Sequence, residues 1–189
     1  MKEKEQEEVF TISVLTENKS GLLNAITIIF TRRKMNIEAL NVSETEIEGV
    51  SRFTIIIQST FNRAEQVVKQ INKLVEVLGS FLYREDEVYY QEIALFKMGT
   101  AAFLNNNTIE RVVRNNGARI LVIERDHIVI EKTGHRDEIR ALRKKLEPFG
   151  LLEFVRSGRV AISKARRKTH EFLKELEQAN YFTSENNYQ

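Results

Sequence analysis

The chain has 189 residues, 42% of them hydrophobic, enough apolar material for one large core or two small ones. Lys and Arg number 29 against 27 Asp and Glu, a formal net charge of +2, which excludes a bulk electrostatic drive toward nucleic acid or an anionic membrane. With no cysteine, disulfides, thiolate metal sites and cysteine nucleophiles are excluded together.

The first residues, M-K-E-K-E-Q-E-E, lack the apolar run of a signal peptide, and no later segment approaches the roughly 18 apolar residues of a membrane span. The expectation is a cytoplasmic protein in which residues 1–8 form a charged lead-in. Val9 to Thr16 reads as a strand, apolar and β-branched, and Leu22 to Arg33 as a helix, with Leu22, Leu23, Ile26, Ile29 and Phe30 recurring near helical spacing. Ser20 is the expected N-cap. I-E-A-L-N-V-S alternates as a half-buried strand, E-I-E-G-V supplies a turn, and Ser51 to Gln58 is the next strand. A second helix opens at Asn62, with Val67, Val68, Ile71, Leu74 and Val75 on one face, and a fourth strand runs from Val77 to Tyr83.

This βαββαβ order makes a split βαβ unit over residues 9–83: four antiparallel strands with both helices on one face. Residues 84–88 read as a polar linker. The same order then recurs over residues 89–163, with strands at Tyr90 to Met98, Arg119 to Glu124, His127 to Lys132 and Leu152 to Ser157, and helices at Thr108 to Asn115 and Arg136 to Leu146. Pro148 stands where it can stop the last helix. The fold class is α+β, two ferredoxin-like units in tandem. Residues 164–189 read as a short charged helix and a frayed tail.

Residue chemistry argues against catalysis. His127, His135 and His170 fall in three different elements without a metal-binding spacing, and the eight glycines form neither a dinucleotide loop nor a P-loop. Glu44, Glu46 and Glu85 to Glu87 lie in turns and the linker, where solvated charge is the plain reading. The run Lys164 to Lys168 reads as a solvated helix end. An RNA-recognition fold shares the element order but needs stacked aromatics on its central strands; the first and third strands carry only Phe10 and Phe53.

What remains is the junction T-E-N-K-S-G-L-L-N, Thr16 to Asn24. The amides at a helix N-terminus bind a carboxylate without a charged side chain, and Asn18 adds a carbonyl acceptor or a donor for the rest of a small zwitterion. Asn36 is a second amide of the same kind beyond the far end of the helix, roughly 18 Å away at 1.5 Å per residue. The two meet only across a dimer. The competing reading is that Asn18 and Ser20 cap the helix and Gly21 relaxes the turn.

The motifs E-N-K-S-G, R-K-M-N-I-E and S-R-F-T, in that order, with V-V-K-Q-I-N-K-L-V-E-V after them, resemble the regulatory (small) subunits of acetolactate synthase, also called acetohydroxyacid synthase. E-I-A-L-F-K-M, Thr133-Gly134 and P-F-G-L-L-E-F-V-R-S-G-R-V-A-I-S extend the resemblance to about Ser163. It implies that the first unit is an ACT domain, which pairs with its twin as a homodimer and binds a branched-chain amino acid, usually valine, at the interface. Asn18, Gly21, Leu22 and Leu23 of one subunit would face Asn36 and Ile37 of the other. The chain departs from the family pattern at Asn24-Ala25, Lys34-Met35 and Lys164-Ala165.

The resemblance further implies a non-catalytic subunit that activates a catalytic partner and transmits feedback inhibition in valine, isoleucine and leucine biosynthesis. That partner would use thiamine diphosphate, a divalent metal and FAD, while this chain would hold no cofactor and contact neither nucleic acid nor membrane. The alternatives are an ACT-type sensor serving a different enzyme or a gene regulator, and a structural dimerisation protein.

Overall fold

A computed structural model describes residues 6–104, 107–165 and 174. The chain divides into two units, one of the residues through Tyr89 joined by the described residues from Ala161 on, the other of Tyr90–Val160. The first unit runs β1 (Glu8–Glu17), α1 (Leu22–Arg32), β2 (Ala39–Glu44), β3 (Val50–Ser59), α2 (Phe61–Ile71) and β4 (Val77–Arg84). Its sheet has the order β2-β3-β1-β4, with every neighbouring pair antiparallel.

The β1–β3 register sets Phe10 opposite Ile57, Ile12 opposite Ile55 and Val14 opposite Phe53. Because strand side chains alternate between faces, these six share one side, where Leu22, Ile26 and Phe30 of α1 and Ala64, Val67, Val68 and Ile71 of α2 complete the core. Phe10 and Phe53 therefore point toward the helices, and the opposite face lacks the aromatic pair that an RNA-recognition surface needs. β3 is central and buried on both faces, Thr54 and Ile56 included, which explains its nearly unbroken apolar run. Arg33 fastens the helices together by donating to Gln70 Oε1 at 2.7 Å and Gln66 Oε1 at 2.8 Å, while Arg63 donates to the Arg33 carbonyl at 3.2 Å.

α2 stops four residues short of its expected apolar stripe. Asn72 is the C-cap and the chain turns through Lys73 and Leu74, so helical spacing ends at Ile71. Leu74 still packs against the core from the turn, but Val75 is 92% exposed and leaves the face assigned to it. The polar segment after β4 forms a 3-10 turn, Glu85–Glu87, in which Glu87 Oε2 accepts the Arg84 N–H at 2.8 Å.

The chain continues with β5 (Val88–Gly99), α3 (Thr100–Leu104), α4 (Asn107–Asn115), β6 (Arg119–Ile123), β7 (His127–Gly134), α5 (Arg136–Leu146), β8 (Leu151–Arg156) and β9 (Val160–Ser163); the second unit takes in all of these but the first two residues of β5 and the last three of β9. The strand order β6-β7-β5-β8 repeats that of the first sheet, and β9 also pairs with β5. Ala94, Phe96, Met98, Ile128 and Ile130 face Ile109, Val113, Ile139, Leu142 and Leu146 in the core. α3 and β9 are additions to the expected elements, since five and four residues are too short to display a period. Pro148 lies in the 3-10 turn Glu147–Phe149 that follows α5. The expected charged helix and tail lie, apart from Lys164, Ala165 and Lys174, outside the described residues.

One buried ionic cluster tightens this unit. The Glu92 carboxylate, 6% exposed, pairs with Arg156 Nη1 at 3.2 Å and Arg159 Nε at 3.6 Å. The Arg159 guanidinium lies 3.8 Å from the Tyr90 ring centroid, and His135 meets the same ring edge-on at 4.5 Å. Removing one partner of a buried pair strands the other charge away from water. Glu92→Gln is expected to destabilise the second unit by about 3–5 kcal/mol, and Ile55→Ala, which opens a cavity beneath both helices, the first unit by about 2–5 kcal/mol. Chemical denaturation followed by far-UV circular dichroism checks both; an unchanged midpoint for either variant contradicts the corresponding packing.

Candidate functional site

The β1–α1 junction is built around Gly21. Its φ of +87° occupies the left-handed region, where a Cβ costs about 1–2 kcal/mol, so glycine suits the turn that aims the chain into α1. The first helical bond runs from the Ala25 N–H to the Gly21 carbonyl at 3.0 Å. The N–H groups of Leu22, Leu23 and Asn24 precede it and have no acceptor within the helix. Gly21, not Ser20, is the N-cap, and no side chain caps this end. Neither Asn18 nor Ser20 caps the helix through its side chain, while Gly21 does serve the turn.

Asn18 is held by other bonds. Its backbone N–H donates to the Gly49 carbonyl at 2.7 Å, and its side-chain Nδ2 donates to Glu44 Oε1 at 2.7 Å. The loop is thereby tied to the end of β2 and to the β2–β3 turn, with the Asn18 carbonyl oxygen still able to accept. Glu44 is the residue that sequence reasoning set aside as surface charge. Only the β2–β3–β1 pairing brings a residue 26 positions away to Asn18, and no local signal announces that contact. The Lys19 ammonium pairs with Glu17, which raises its pKa. It stays protonated, and the loop has no neutral amine to serve as a base.

Asn18, Ser20 and Gly21 are exposed, Leu22 is buried in the core, and Leu23 is 48% exposed. At the other end of α1, Asn36 is exposed and donates to Glu38 Oε1 at 3.1 Å, and Ile37 packs partly against the core just before β2 begins. Within one chain the structure keeps these two groups apart. Eleven helical residues separate them, about 16 Å of helix. A cavity of about 360 Å³ lined by Leu82, Tyr83, Asp86, Glu87 and Ser163 to Ala165 lies elsewhere, beside the β4 segment that pairs with the start of β1.

The β1–α1 junction thus gathers backbone donors, the Asn18 amide, the Glu44 carboxylate and the exposed Leu23, and the Asn36 amide stands beyond the far end of α1. Among the described residues no three His, Asp or Glu side chains converge as a metal site. His127 and His135 stand at either end of β7, and His170 lies outside the described residues. No described helix is long and apolar enough to cross a membrane.

Comparison with known proteins places both units. The pattern for "AHAS small subunit-like ACT domain" matches residues 12–79, and that for "Small subunit of acetolactate synthase" matches residues 91–165. The putative acetolactate synthase small subunit of Mycobacterium tuberculosis (strain ATCC 25618 / H37Rv) is 36% identical over 157 residues, 83% of this chain and 93% of the relative. That of Bacillus subtilis (strain 168) is 34% identical over 161 residues, 85% and 92% of the two chains. The crystal structure of the acetolactate synthase small subunit from Thermotoga maritima superposes with a TM-score of 0.76 at 28% identity, covering 85% of this chain and 99% of that one. With an ACT domain first and a second ferredoxin-like unit behind it, the chain belongs to the family of acetolactate synthase small subunits.

Proposed function

We propose that this chain senses a branched-chain amino acid, valine foremost, at the interface of a homodimer formed by its ACT domains, and that it activates the acetolactate synthase catalytic subunit and relays feedback inhibition to it. What carries the reading is the separation of Asn18 and Gly21 from Asn36 and Ile37 by the full length of α1. Two copies related by a two-fold axis bring the amide-rich start of one α1 beside the Asn36–Ile37 segment of the other, twice.

Each such site would take the effector carboxylate on the N–H groups of Leu22 and Leu23 at the positive end of the helix dipole. Asparagine oxygens and the Glu44 carboxylate would meet the ammonium, and Leu23 with the partner's Ile37 the branched side chain. One methylene between valine and isoleucine is worth only about 1–3 kcal/mol, so the preference among branched-chain amino acids is graded. Regulation follows by linkage: an effector that binds one arrangement of the dimer more tightly shifts the population toward it, and the catalytic subunit responds to that shift. The thiamine diphosphate, divalent metal and FAD of the reaction belong to the partner in this reading.

Thermal unfolding across a valine, leucine and isoleucine series tests the sensor. At about 100 times its dissociation constant a ligand adds about 2.7 kcal/mol to the native state, and valine should give the largest shift. No shift with any of the three contradicts sensing. Asn36→Ala should weaken binding by about 1–3 kcal/mol, the cost of a lost buried polar contact, without changing the dimer by sedimentation. Gly21→Asp should abolish the shift by setting a carboxylate against that of the effector; Gly21→Ala, which carries the same backbone strain without charge, separates repulsion from strain.

A further inference from the structure

The second unit repeats the topology of the first, and its edge strand β6 carries the unusual feature. In β6, R-I-L-V-I, Leu121, Val122 and Ile123 are 49%, 38% and 60% exposed. An apolar edge strand with unpaired backbone groups is a template for another strand. It also holds a bulge: Ile120 opposes Ile130 and Val122 opposes Val129, with Leu121 as the extra residue.

We infer that β6 pairs antiparallel with β6 of a second copy, centred between Leu121 and Val122, so that the two sheets of the second units join edge to edge. This association is distinct from the one proposed for the ACT domains and does not depend on effector binding. Antiparallel pairing about that centre sets Arg119 opposite Glu124, Ile120 opposite Ile123 and Leu121 opposite Val122 of the second copy. The ends of R-I-L-V-I-E are thus complementary in charge to their own reverse, and the middle is apolar throughout.

The bulge makes this register consistent with a second copy. Residues directly opposite across an antiparallel pair lie on one face of the sheet. In a regular strand, positions three or five apart point to opposite faces, so Ile120 could not meet Ile123, nor Arg119 meet Glu124, with both sets of helices on the same side. The extra residue corrects this. Ile120 and Ile123 oppose Ile130 and Ile128, which belong to the core face. Arg119 opposes Glu131, and Glu124 N–H bonds to the His127 carbonyl at 2.8 Å, both on the other face. A second copy brings the same extra residue, so core-face residues meet core-face residues along the whole of the proposed pairing. Glu131, bonded to Arg119 at 2.8 Å, holds that guanidinium at the edge where Glu124 of the second copy would arrive.

The chain has no cysteine, so introduced thiols report without background. Across the bulge Ile120 and Ile123 oppose Ile130 and Ile128, two residues apart on β7, so in the full-length Ile120→Cys/Ile123→Cys variant the two thiols of one chain lie about 7 Å apart along the strand, at the limit for a disulfide. In the proposed pairing each also faces its counterpart across the axis, and the Arg119→Cys/Glu124→Cys variant, whose positions span four residues of β7, about 13 Å, has no bridge available within one chain. Mild oxidation should move most of the protein from 22.0 kDa to twice that mass on a non-reducing gel. Ile123→Cys alone, whose thiol faces Ile120, should give at least about fivefold less. If replacement at the half-buried Ile120 impairs folding by circular dichroism, Arg119→Cys/Glu124→Cys tests the same register at exposed positions. Absence of the double-mass band in the folded Arg119→Cys/Glu124→Cys variant, or equal cross-linking by the single variant, overturns the proposal and leaves this edge to a partner other than a second copy.

Discussion

The constraint on which the rest depends is the packing of α1 across β1 and β3. Leu22, Ile26 and Phe30 lock the helix to the sheet, and its eleven residues set a fixed distance between the loop that precedes it and the segment that follows. A rigid spacer of about 16 Å is far longer than an amino acid. Groups at its two ends cannot close on one small ligand in the same chain, however suitable their chemistry. The fold thus leaves each half of the proposed effector site incomplete, and in the proposed homodimer symmetry would supply the missing half. In that reading ligand binding and subunit arrangement would be coupled by construction, since a site assembled from two chains responds to any change in how those chains meet.

The same topology, used twice, meets different chemistry at its edge. In the first unit β2 is one of the two edge strands and follows on Asn36 and Ile37, so the groups of the proposed effector site lie beside an edge that a second sheet can join. In the second unit β6 occupies that position and presents an apolar, bulged strand with ionic ends. Each unit also spends polar groups differently. The first uses hydrogen bonds among Arg33, Gln66 and Gln70 to join its helices, and the second buries Glu92 against two arginines. A buried pair is demanding in geometry and intolerant of losing a partner.

Element order was legible in the sequence because the apolar period switches from two to near 3.6 and back, and Val67, Val68 and Ile71 repeat at helical spacing. The period failed where a turn follows a helix without a proline or glycine. Leu74 and Val75 continue the apolar rhythm of α2 although the chain has already left it, and only tertiary packing distinguishes the buried Leu74 from the solvated Val75. α3 and β9 escaped for lack of length. The junction residues stood out as chemistry without a catalytic partner, but their bonding did not. Ser20 has the side chain of an N-cap, and the left-handed Gly21 takes that position instead. Asn18 reaches Glu44, a contact that depends on strand pairing across the sheet rather than on local sequence.

That last contact bears on how an effector would act. Asn18 is joined by its backbone to Gly49 in the β2–β3 turn and by its side chain to Glu44 at the end of β2. β2 is one of the two edge strands, with only one neighbour in its own sheet, and it is the element nearest any copy that joins at that edge. A ligand that competes for the Asn18 amide or for Glu44 loosens the loop's hold on β2, and one that bridges them tightens it. Either change costs or gains about a hydrogen bond, on the order of 1 kcal/mol per site, and two symmetric sites double it. That lies within the 1–3 kcal/mol typical of allosteric coupling. The proposed signal therefore needs no large motion in this subunit, only a bias in how firmly its outermost strand is held.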